Sequence, residues 1–211
     1  MPVAAVVVAA GRGTRFGGAK QFALIDGETV AARSVRACRS VADHVVLVVP
    51  EGYDGTGEGA DLVVPGGASR AQSVRCGLNH CADADVVVVH DAARPFASPA
   101  LFGAVVRAIT DGADAAIPGL AITDTVKRVT RKGDFIVVSE TLVREELVGV
   151  QTPQAFRRDV LERAHASGED ATDDAGLVEA IGGVVVVVPG ESTNLKITLP
   201  DDLETLTSGR P

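Results

Sequence analysis

The chain has 211 residues and a formal net charge of -8, and it is 46% hydrophobic but only 3% aromatic, with no tryptophan. This length suits one α/β domain, and we expect a single domain over residues 1–211. A core of Val, Ala, Leu and Ile is typical of a parallel sheet packed between helices. The negative charge, with no long Lys/Arg block to offset it, argues against a nucleic-acid partner.

Apolar runs and cysteines bear on the expected location. No apolar run approaches the length of about 18 residues that a membrane span needs, and the apolar N-terminus lacks the basic segment of a signal peptide. The three cysteines, Cys38, Cys76 and Cys81, have neither C-x-x-C nor zinc-site spacing, so we interpret them as reduced thiols. We therefore expect a cytoplasmic protein with no membrane partner.

The first predicted element is a buried strand over residues 3–10, because this run is rich in valine and carries no charge. The loop that follows, residues 11–20, contains four glycines and three cations. Glycine lets backbone N–H groups approach a ligand closely, and successive N–H groups form a concavity that binds anions. We interpret the loop as a site for several negative charges, most simply a triphosphate.

Two familiar phosphate-binding loops match this segment poorly. A Rossmann fingerprint needs G-x-G-x-x-G, but the third glycine, Gly17, comes one place late and the acidic residues downstream are badly placed. A Walker A loop needs Lys and Ser/Thr directly after its last glycine, whereas Ala19 precedes Lys20 here and Gln21 follows it. The structural alternative is an ordinary βα turn with solvated arginines.

Strands and helices then alternate along the chain. Helices are predicted at residues 29–41, 69–79 and 98–111, each beginning near a turn or a capping residue. This βα repeat implies right-handed crossovers and a parallel sheet. The strands predicted between the helices are residues 45–49, 61–64, 85–90 and 113–118.

The glycine turn over residues 65–68 leads directly into the second of these helices. Arg70, Gln72 and Ser73 lie in its first turns. A helix N-terminus with free N–H groups and hydroxyls can bind a phosphate or the polar edge of a base. A plain capped helix is the structural alternative.

His90 and Asp91 stand at the end of the strand predicted over residues 85–90. A carboxylate at the carboxyl end of a central strand lies where α/β sheets bind ligands. Beside a triphosphate, Asp91 suits magnesium, which favours one or two carboxylates plus phosphate oxygens. The alternative is a structural pair of Asp91 with Arg94, and we interpret His90 as a histidine held by backbone hydrogen bonds.

The pattern changes after residue 118. Residues 125–129 and 135–138 predict a β-hairpin, and polar residues on both arms indicate that it projects from the domain, where a partner subunit could dock. Four acidic residues within 169–174 complement the dipole of a following helix. Beyond the hairpin we predict helices at 157–166 and 175–181, strands at 183–188 and 194–198, and a terminal helix from residue 201.

Seven segments carry a resemblance to a known family. They are AAGRGTRFGGAKQ, GGASRAQSVRCGL, VHDAARPF, DTVKRV, VQTPQAF, ATDDA and NLKITLPDDL, in this order along nearly the whole chain. Together they resemble the 2-C-methyl-D-erythritol 4-phosphate cytidylyltransferases, although that family often has proline at the position of Ala19 and an acidic residue at the position of Ala68. The resemblance implies a Rossmann-like, mostly parallel sheet of the nucleotide-diphospho-sugar transferase type, with a dimerisation arm at about residues 123–147.

The resemblance also implies an activity, in which a homodimer with shared active sites transfers CMP from CTP to 2-C-methyl-D-erythritol 4-phosphate and releases pyrophosphate, with Mg²⁺ as cofactor. By resemblance, Arg15 and Lys20 stabilise the charge that develops at the α-phosphate and leaving group. Arg144 and Lys196, which complete the implied catalytic set with Arg15 and Lys20, position the methylerythritol phosphate, and Asp91 is the metal ligand. The nucleotide-binding residues implied are Ala9, Ala10, Gly11, Gly13, Gly67, Ala68, Ser73, Asp91 and Ala92. The substrate-binding residues implied are Arg94, Thr125, Arg144, Thr172 and Lys196, with Thr125 and Arg144 reaching across the dimer interface.

Three other functions are weighed against this one. A sister enzyme acting on a pentitol phosphate such as ribitol 5-phosphate would have nearly the same CTP motifs. A catalytically inactive nucleotide-binding module would be expected to have lost some of its charged site residues, yet all are present. A nicotinamide-binding oxidoreductase is disfavoured by the glycine spacing.

Overall fold

A mixed β-sheet between two layers of helices forms the body of the protein. The computed structural model describes residues 1–11, 13 and 16–203. The strands are β1 (Val3–Val8), β2 (Leu24–Ile25), β3 (Glu28–Thr29), β4 (His44–Val49), β5 (Leu62–Pro65), β6 (Val86–Asp91), β7 (Ala115–Ala121), β8 (Lys127–Lys132), β9 (Phe135–Thr141), β10 (Val148–Val150), β11 (Gln154–Arg157) and β12 (Val185–Pro189). The α-helices are α1 (Val30–Cys38), α2 (Arg70–Leu78), α3 (Pro99–Thr110), α4 (Arg158–His165) and α5 (Asp174–Ala180), and the 3₁₀ turns are Lys20–Phe22, Thr56–Glu58 and Arg144–Glu146.

The central sheet has eight strands in the order β10-β7-β11-β6-β1-β4-β5, and β12 also pairs with β7. The pairs β1–β4, β1–β6, β4–β5 and β7–β12 are parallel, which confirms the predicted mostly parallel sheet. The exceptions are β10 and β11, and β11 runs antiparallel to both of its neighbours, β6 and β7. The sequence pattern did not predict β11, since its four residues, QAFR, include no β-branched side chain.

Both faces of the sheet are buried at its central strands β1, β4 and β6, which explains why these strands are rich in valine. Successive side chains of a strand point to opposite faces. Val7 accordingly belongs to the apolar cluster that contains Val35 of α1 and Phe102 of α3. Its neighbour Val6 belongs to the cluster of the other face, with Val74 of α2.

Side-chain caps fix the beginnings of three helices. Thr29, Ser69 and Ser98 each accept a hydrogen bond from the backbone N–H three residues later, at 2.9–3.2 Å. Such caps satisfy donors that the first helical turn leaves unpaired. The three helices predicted in the first half of the chain are therefore confirmed, with ends that differ by a few residues.

One predicted strand is wrong, because residues 194–198 have no strand partner and form an extended loop. Backbone groups of this segment that would pair with a neighbouring strand instead make single hydrogen bonds, one to a backbone carbonyl and one to a side chain. The Ile197 N–H donates to the carbonyl oxygen of Ala93 at 2.9 Å, and the Ile197 carbonyl accepts a hydrogen bond from Lys20 Nζ. The predicted terminal helix begins at residue 200.

The predicted β-hairpin is confirmed as β8 and β9, which pair in a two-stranded sheet of their own. Every residue of both strands is exposed, including Phe135 at 76% and Ile136 at 65%. In the part of the chain that the structure describes, no helix is both long and apolar enough to cross a membrane.

Candidate active site

A cleft of about 350 Å³ opens at the carboxyl ends of β1 and β6. The backbone after β1 forms one side, the turn before α2 forms another, and the end of β6 lies beside the segment that carries Lys196. This edge of a parallel sheet is where α/β proteins bind ligands. The cleft brings together all the predicted nucleotide-binding residues, Ala9, Ala10, Gly11, Gly13, Gly67, Ala68, Ser73, Asp91 and Ala92, and two predicted catalytic ones, Lys20 and Lys196.

The glycine-rich loop is fixed where it leaves β1. Gly13 has a φ of 60°, and a Cβ at this position would collide with the carbonyl oxygen of Gly18, so only glycine fits. The buried Gln21 amide donates to the carbonyl oxygens of Ala9 at 2.7 Å and Gly11 at 2.9 Å. Gln21 thus takes the place of a Walker A hydroxyl residue but holds the loop itself.

Ion pairs and hydrogen bonds link a row of side chains that begins in the cleft with Lys196, Asp91 and Arg70 and continues beyond the cleft lining. Asp91 Oδ2 lies 2.6 Å from Lys196 Nζ, and Asp91 Oδ1 lies 3.1 Å from Arg70 Nε. Arg70 Nη1 lies 2.7 Å from Asp174 Oδ2, whose other oxygen lies 3.0 Å from His165 Nε2. The structure therefore pairs Asp91 with Arg70 and Lys196 rather than with Arg94.

The paired side chains in this row stabilise each other's ionised forms. Burial by itself would raise the pKa of Asp91, but Arg70 and Lys196 outweigh burial and hold that pKa well below its usual range. Burial would likewise lower the pKa of Arg70, yet Asp91 and Asp174 raise it. The floor of the cleft therefore contains an ionised carboxylate between two cations.

We expect the Asp174→Asn substitution to destabilise the fold by about 3 kcal/mol, because it removes one partner of a buried ion pair. The Asp174 side chain is only 1% exposed, so water cannot replace it beside Arg70. Urea denaturation measures the change in the free energy of unfolding. Asp170→Asn, which changes an exposed carboxylate in the same segment, is the matched control, and equal losses for the two variants would contradict the prediction.

His90 is held by one backbone hydrogen bond, as predicted, and by one hydrogen bond to the side chain of Thr152. Its Nε2 lies 3.1 Å from the carbonyl oxygen of Arg94, which can only accept, so Nε2 carries the proton. Its Nδ1 accepts a hydrogen bond from Thr152 Oγ1 at 3.2 Å, and the same hydroxyl oxygen accepts one from the Asp91 N–H at 3.0 Å. Burial lowers the pKa of His90 to about 4. A neutral His90 therefore supports the backbone that presents Asp91.

Of three further predicted residues, two lie outside the cleft lining and one is not among the described residues. Arg15 falls outside the described residues. Arg94 does not line the cleft, and it donates from Nη1 to the carbonyl oxygen of Asn194 at 2.7 Å. Thr172 is exposed in the segment before α5 and also lies outside the cleft lining.

Arg144 and Thr125 lie near the base of the hairpin, away from the cleft. Arg144 donates from Nη1 to the carbonyl oxygen of Thr123 at 2.6 Å and pairs with Glu145 at 3.2 Å. It lines a second, shallower hollow together with residues of β7, β10 and β12. Thr125 is exposed beside the hairpin. Within one chain, the cleft and these two residues are not brought together.

The sequence alone does not predict the ion pairs of Arg70 with Asp91 and with Asp174. In the sequence, Arg70 is only a polar residue at a helix start, and Asp174 is only one acid of a helix-dipole cluster. These two partners lie 104 residues apart in the chain. A lone buried histidine, His165, and an arginine at a helix N-terminus give no local signal for such a pairing.

The fold and the cleft together define a class: an α/β protein with a cleft at the carboxyl edge of a mostly parallel sheet, lined by glycine-rich backbone and by charged side chains. Comparison with known proteins narrows the class. The sequence model described as IspD, 2-C-methyl-D-erythritol 4-phosphate cytidylyltransferase, matches residues 3–207. The chain belongs to this family.

Individual relatives agree with the family match. The chain is 47% identical to the 2-C-methyl-D-erythritol 4-phosphate cytidylyltransferase of Saccharopolyspora erythraea, over 96% of each chain. It is 49% identical to the bifunctional enzyme IspD/IspF of Anaeromyxobacter dehalogenans, over 95% of this chain, and it spans only 55% of that relative's length. The crystal structure of the Thermus thermophilus cytidylyltransferase superposes with a TM-score of 0.82 at 36% identity, over 99% of this chain and 98% of that one.

Proposed function

We propose that the protein transfers CMP from CTP to 2-C-methyl-D-erythritol 4-phosphate, forming 4-diphosphocytidyl-2-C-methyl-D-erythritol and pyrophosphate for isoprenoid precursor synthesis. The observation that carries this proposal is the cleft itself, in which Lys20, Asp91 and Lys196 meet beside the glycine-rich loop in a chain of this family. A site with both cations and an ionised carboxylate suits a reaction between two phosphorylated substrates.

The reaction forms one bond and breaks one. A phosphate oxygen of the sugar phosphate attacks the α-phosphorus of CTP, and the bond from that phosphorus to the bridging oxygen of the β-phosphate breaks. Catalysis of such transfers consists mainly of positioning and electrostatic stabilisation. We assign Lys20 and Arg15 to the charge on the α-phosphate and leaving group, and Lys196 to the incoming phosphate. Lys196 is oriented for this role by Asp91.

We also propose that Asp91 holds Mg²⁺ together with the nucleotide. Among the described residues, no group of three or more His, Cys, Asp or Glu side chains could hold a metal ion. A single ionised carboxylate in the cleft instead fits a Mg²⁺ ion that is bound chiefly through phosphate oxygens and water. When bound, Mg²⁺ would neutralise phosphate charge. The side chains of the protein itself would position the two substrates and add further positive charge.

A homodimer is the third part of the proposal, with the chain as one domain and residues 123–147 as its dimerisation arm. Both strands of the arm are exposed, and they carry the exposed apolar residues Val129, Phe135, Ile136 and Val138. Exposed apolar patches mark interaction sites. In one chain Arg144 and Thr125 lie outside the cleft, so a second copy is needed to bring them to it. Three free cysteines further support a reducing compartment, and we propose the cytoplasm.

The experiment that tests the activity is pyrophosphate release in the presence of Mg²⁺. CTP, ATP, GTP and UTP are each supplied with methylerythritol phosphate and then with ribitol 5-phosphate. We expect release only with CTP and methylerythritol phosphate. Release only with CTP and ribitol 5-phosphate would move the protein to the sister activity, and folded protein that binds CTP without any release would indicate an inactive nucleotide-binding module.

A further inference from the structure

The turn between β5 and α2 is held by side chains of the helix that follows it. The Ala68 N–H donates to Gln72 Oε1 at 2.8 Å, and the Gly67 N–H donates to Ser73 Oγ at 3.1 Å. The Ser73 hydroxyl in turn donates to the carbonyl oxygen of Ser69 at 2.9 Å. The backbone donors of Gly67 and Ala68 are therefore both engaged within the protein.

The Gln72 contact fixes the orientation of the peptide between Gly67 and Ala68. This peptide is trans and planar, so the Gly67 carbonyl points away from the Ala68 N–H. Gly67 and Ala68 line the cleft, whereas Gln72 is exposed and does not. With the Ala68 N–H turned toward Gln72, the Gly67 carbonyl oxygen is directed to the opposite side of the peptide, away from Gln72.

Close packing also restricts the backbone of this turn. A Cβ on Gly66 would collide with the Ala10 Cβ, and a Cβ on Gly67 would collide with the Gln72 Cβ. The backbone therefore packs closely against both the end of β1 and the start of α2. Rotation of the Gly67–Ala68 peptide remains available because glycine tolerates most backbone angles. Gln72 opposes that rotation by holding the N–H.

We propose that Gln72 determines base selectivity from outside the cleft, by keeping this turn an edge that only accepts hydrogen bonds. Such an edge accepts a hydrogen bond from the exocyclic amino group of cytosine. Uracil has a carbonyl oxygen at that position, and this edge offers it no hydrogen-bond donor. The proposal rests on the proposed use of CTP. Ala68 has no polar side chain, so the selection depends on the backbone that Gln72 orients.

The test compares CTP with UTP in binding and in catalysis. Gln72→Ala frees the Ala68 N–H, and we expect the ratio of CTP to UTP affinity, measured by calorimetry without the second substrate, to fall about tenfold. The same fall is expected in the ratio of kcat/KM. Gln72→Glu keeps an acceptor in place, so it should retain the parental ratio. Asn79→Ala, at the exposed end of the same helix, is the matched control for stability.

Three results would overturn the proposal: an unchanged ratio in Gln72→Ala, equal falls in Gln72→Ala and Gln72→Glu, or equal binding of CTP and UTP by the parent. Failure of the proposed reaction is distinguishable from these. A parent that binds CTP more tightly than UTP but releases no pyrophosphate would refute the reaction and leave the calorimetric ratios as the test of Gln72.

Discussion

Replacing Lys20 with alanine is expected to lower turnover by about 10²- to 10³-fold, the loss seen when one preorganised charge-stabilising group is removed from an active site. Lys20 lines the cleft, and its amino group donates to the Ile197 carbonyl, one residue from Lys196. The phosphate charge that develops during transfer would then meet one cation fewer. Steady-state pyrophosphate release at saturating CTP measures the change.

The Lys20 variant should keep nearly all of its stability, because the residue begins a 3₁₀ turn and is only half-buried. Arg107→Ala, which removes an exposed cation from α3 far along the chain, controls for the loss of one positive charge. We expect the Arg107 variant to retain parental turnover. A Lys20→Ala protein with near-parental turnover would show that another group stabilises the developing charge.

Mixing Lys20→Ala and Arg144→Ala subunits is expected to restore activity that neither variant has alone. If each active site takes Lys20 from one chain and Arg144 from its partner, a hybrid dimer has one intact site of two. Random exchange makes half the dimers hybrid, so roughly a quarter of the parental activity should return in a twofold-symmetric dimer. The basis is that Arg144 does not line the cleft within its own chain.

The structure supplies a stringent control for this experiment. Lys20 and Lys196 line the same cleft of the same chain. A mixture of Lys20→Ala and Lys196→Ala subunits should therefore stay inactive, since every site of every dimer lacks one of the two lysines. Mass-tagged subunits establish that exchange has taken place. Exchange without rescue in the first mixture, or rescue in the second, would contradict a site shared in this way.

Much of the sheet could be predicted because its strands have a simple physical signature. Strands buried on both faces are mostly apolar, and β1, β4 and β6 are rich in valine for that reason. The strands β10 and β11 are short, VGV and QAFR, and have neither a run nor an alternation. Their places are decided by neighbours distant in sequence, which local patterns do not report.

In the candidate site, too, some residues could be predicted from local sequence and others could not. The glycine loop and Asp91 were predicted from the residues themselves, because each stands directly after a recognisable strand. Lys196 was assigned by resemblance alone, since its contact with Asp91 spans 105 residues and its surroundings form no regular element. Asp173 caps α5, as the helix-dipole interpretation requires, but the adjacent Asp174 pairs with Arg70 instead.

The position of β11 between β6 and β7 has a consequence for synthesis on the ribosome. The strands β6 and β7 are synthesised in succession. In the finished sheet they are separated by β11, which follows the β8–β9 hairpin in the chain. Until residues 154–157 emerge, one edge of β6 in the middle of the sheet has no partner. A nascent or truncated chain that stops short of Arg157 therefore presents an open, valine-rich edge, the kind of surface that chaperones cover and that neighbouring chains join in aggregates.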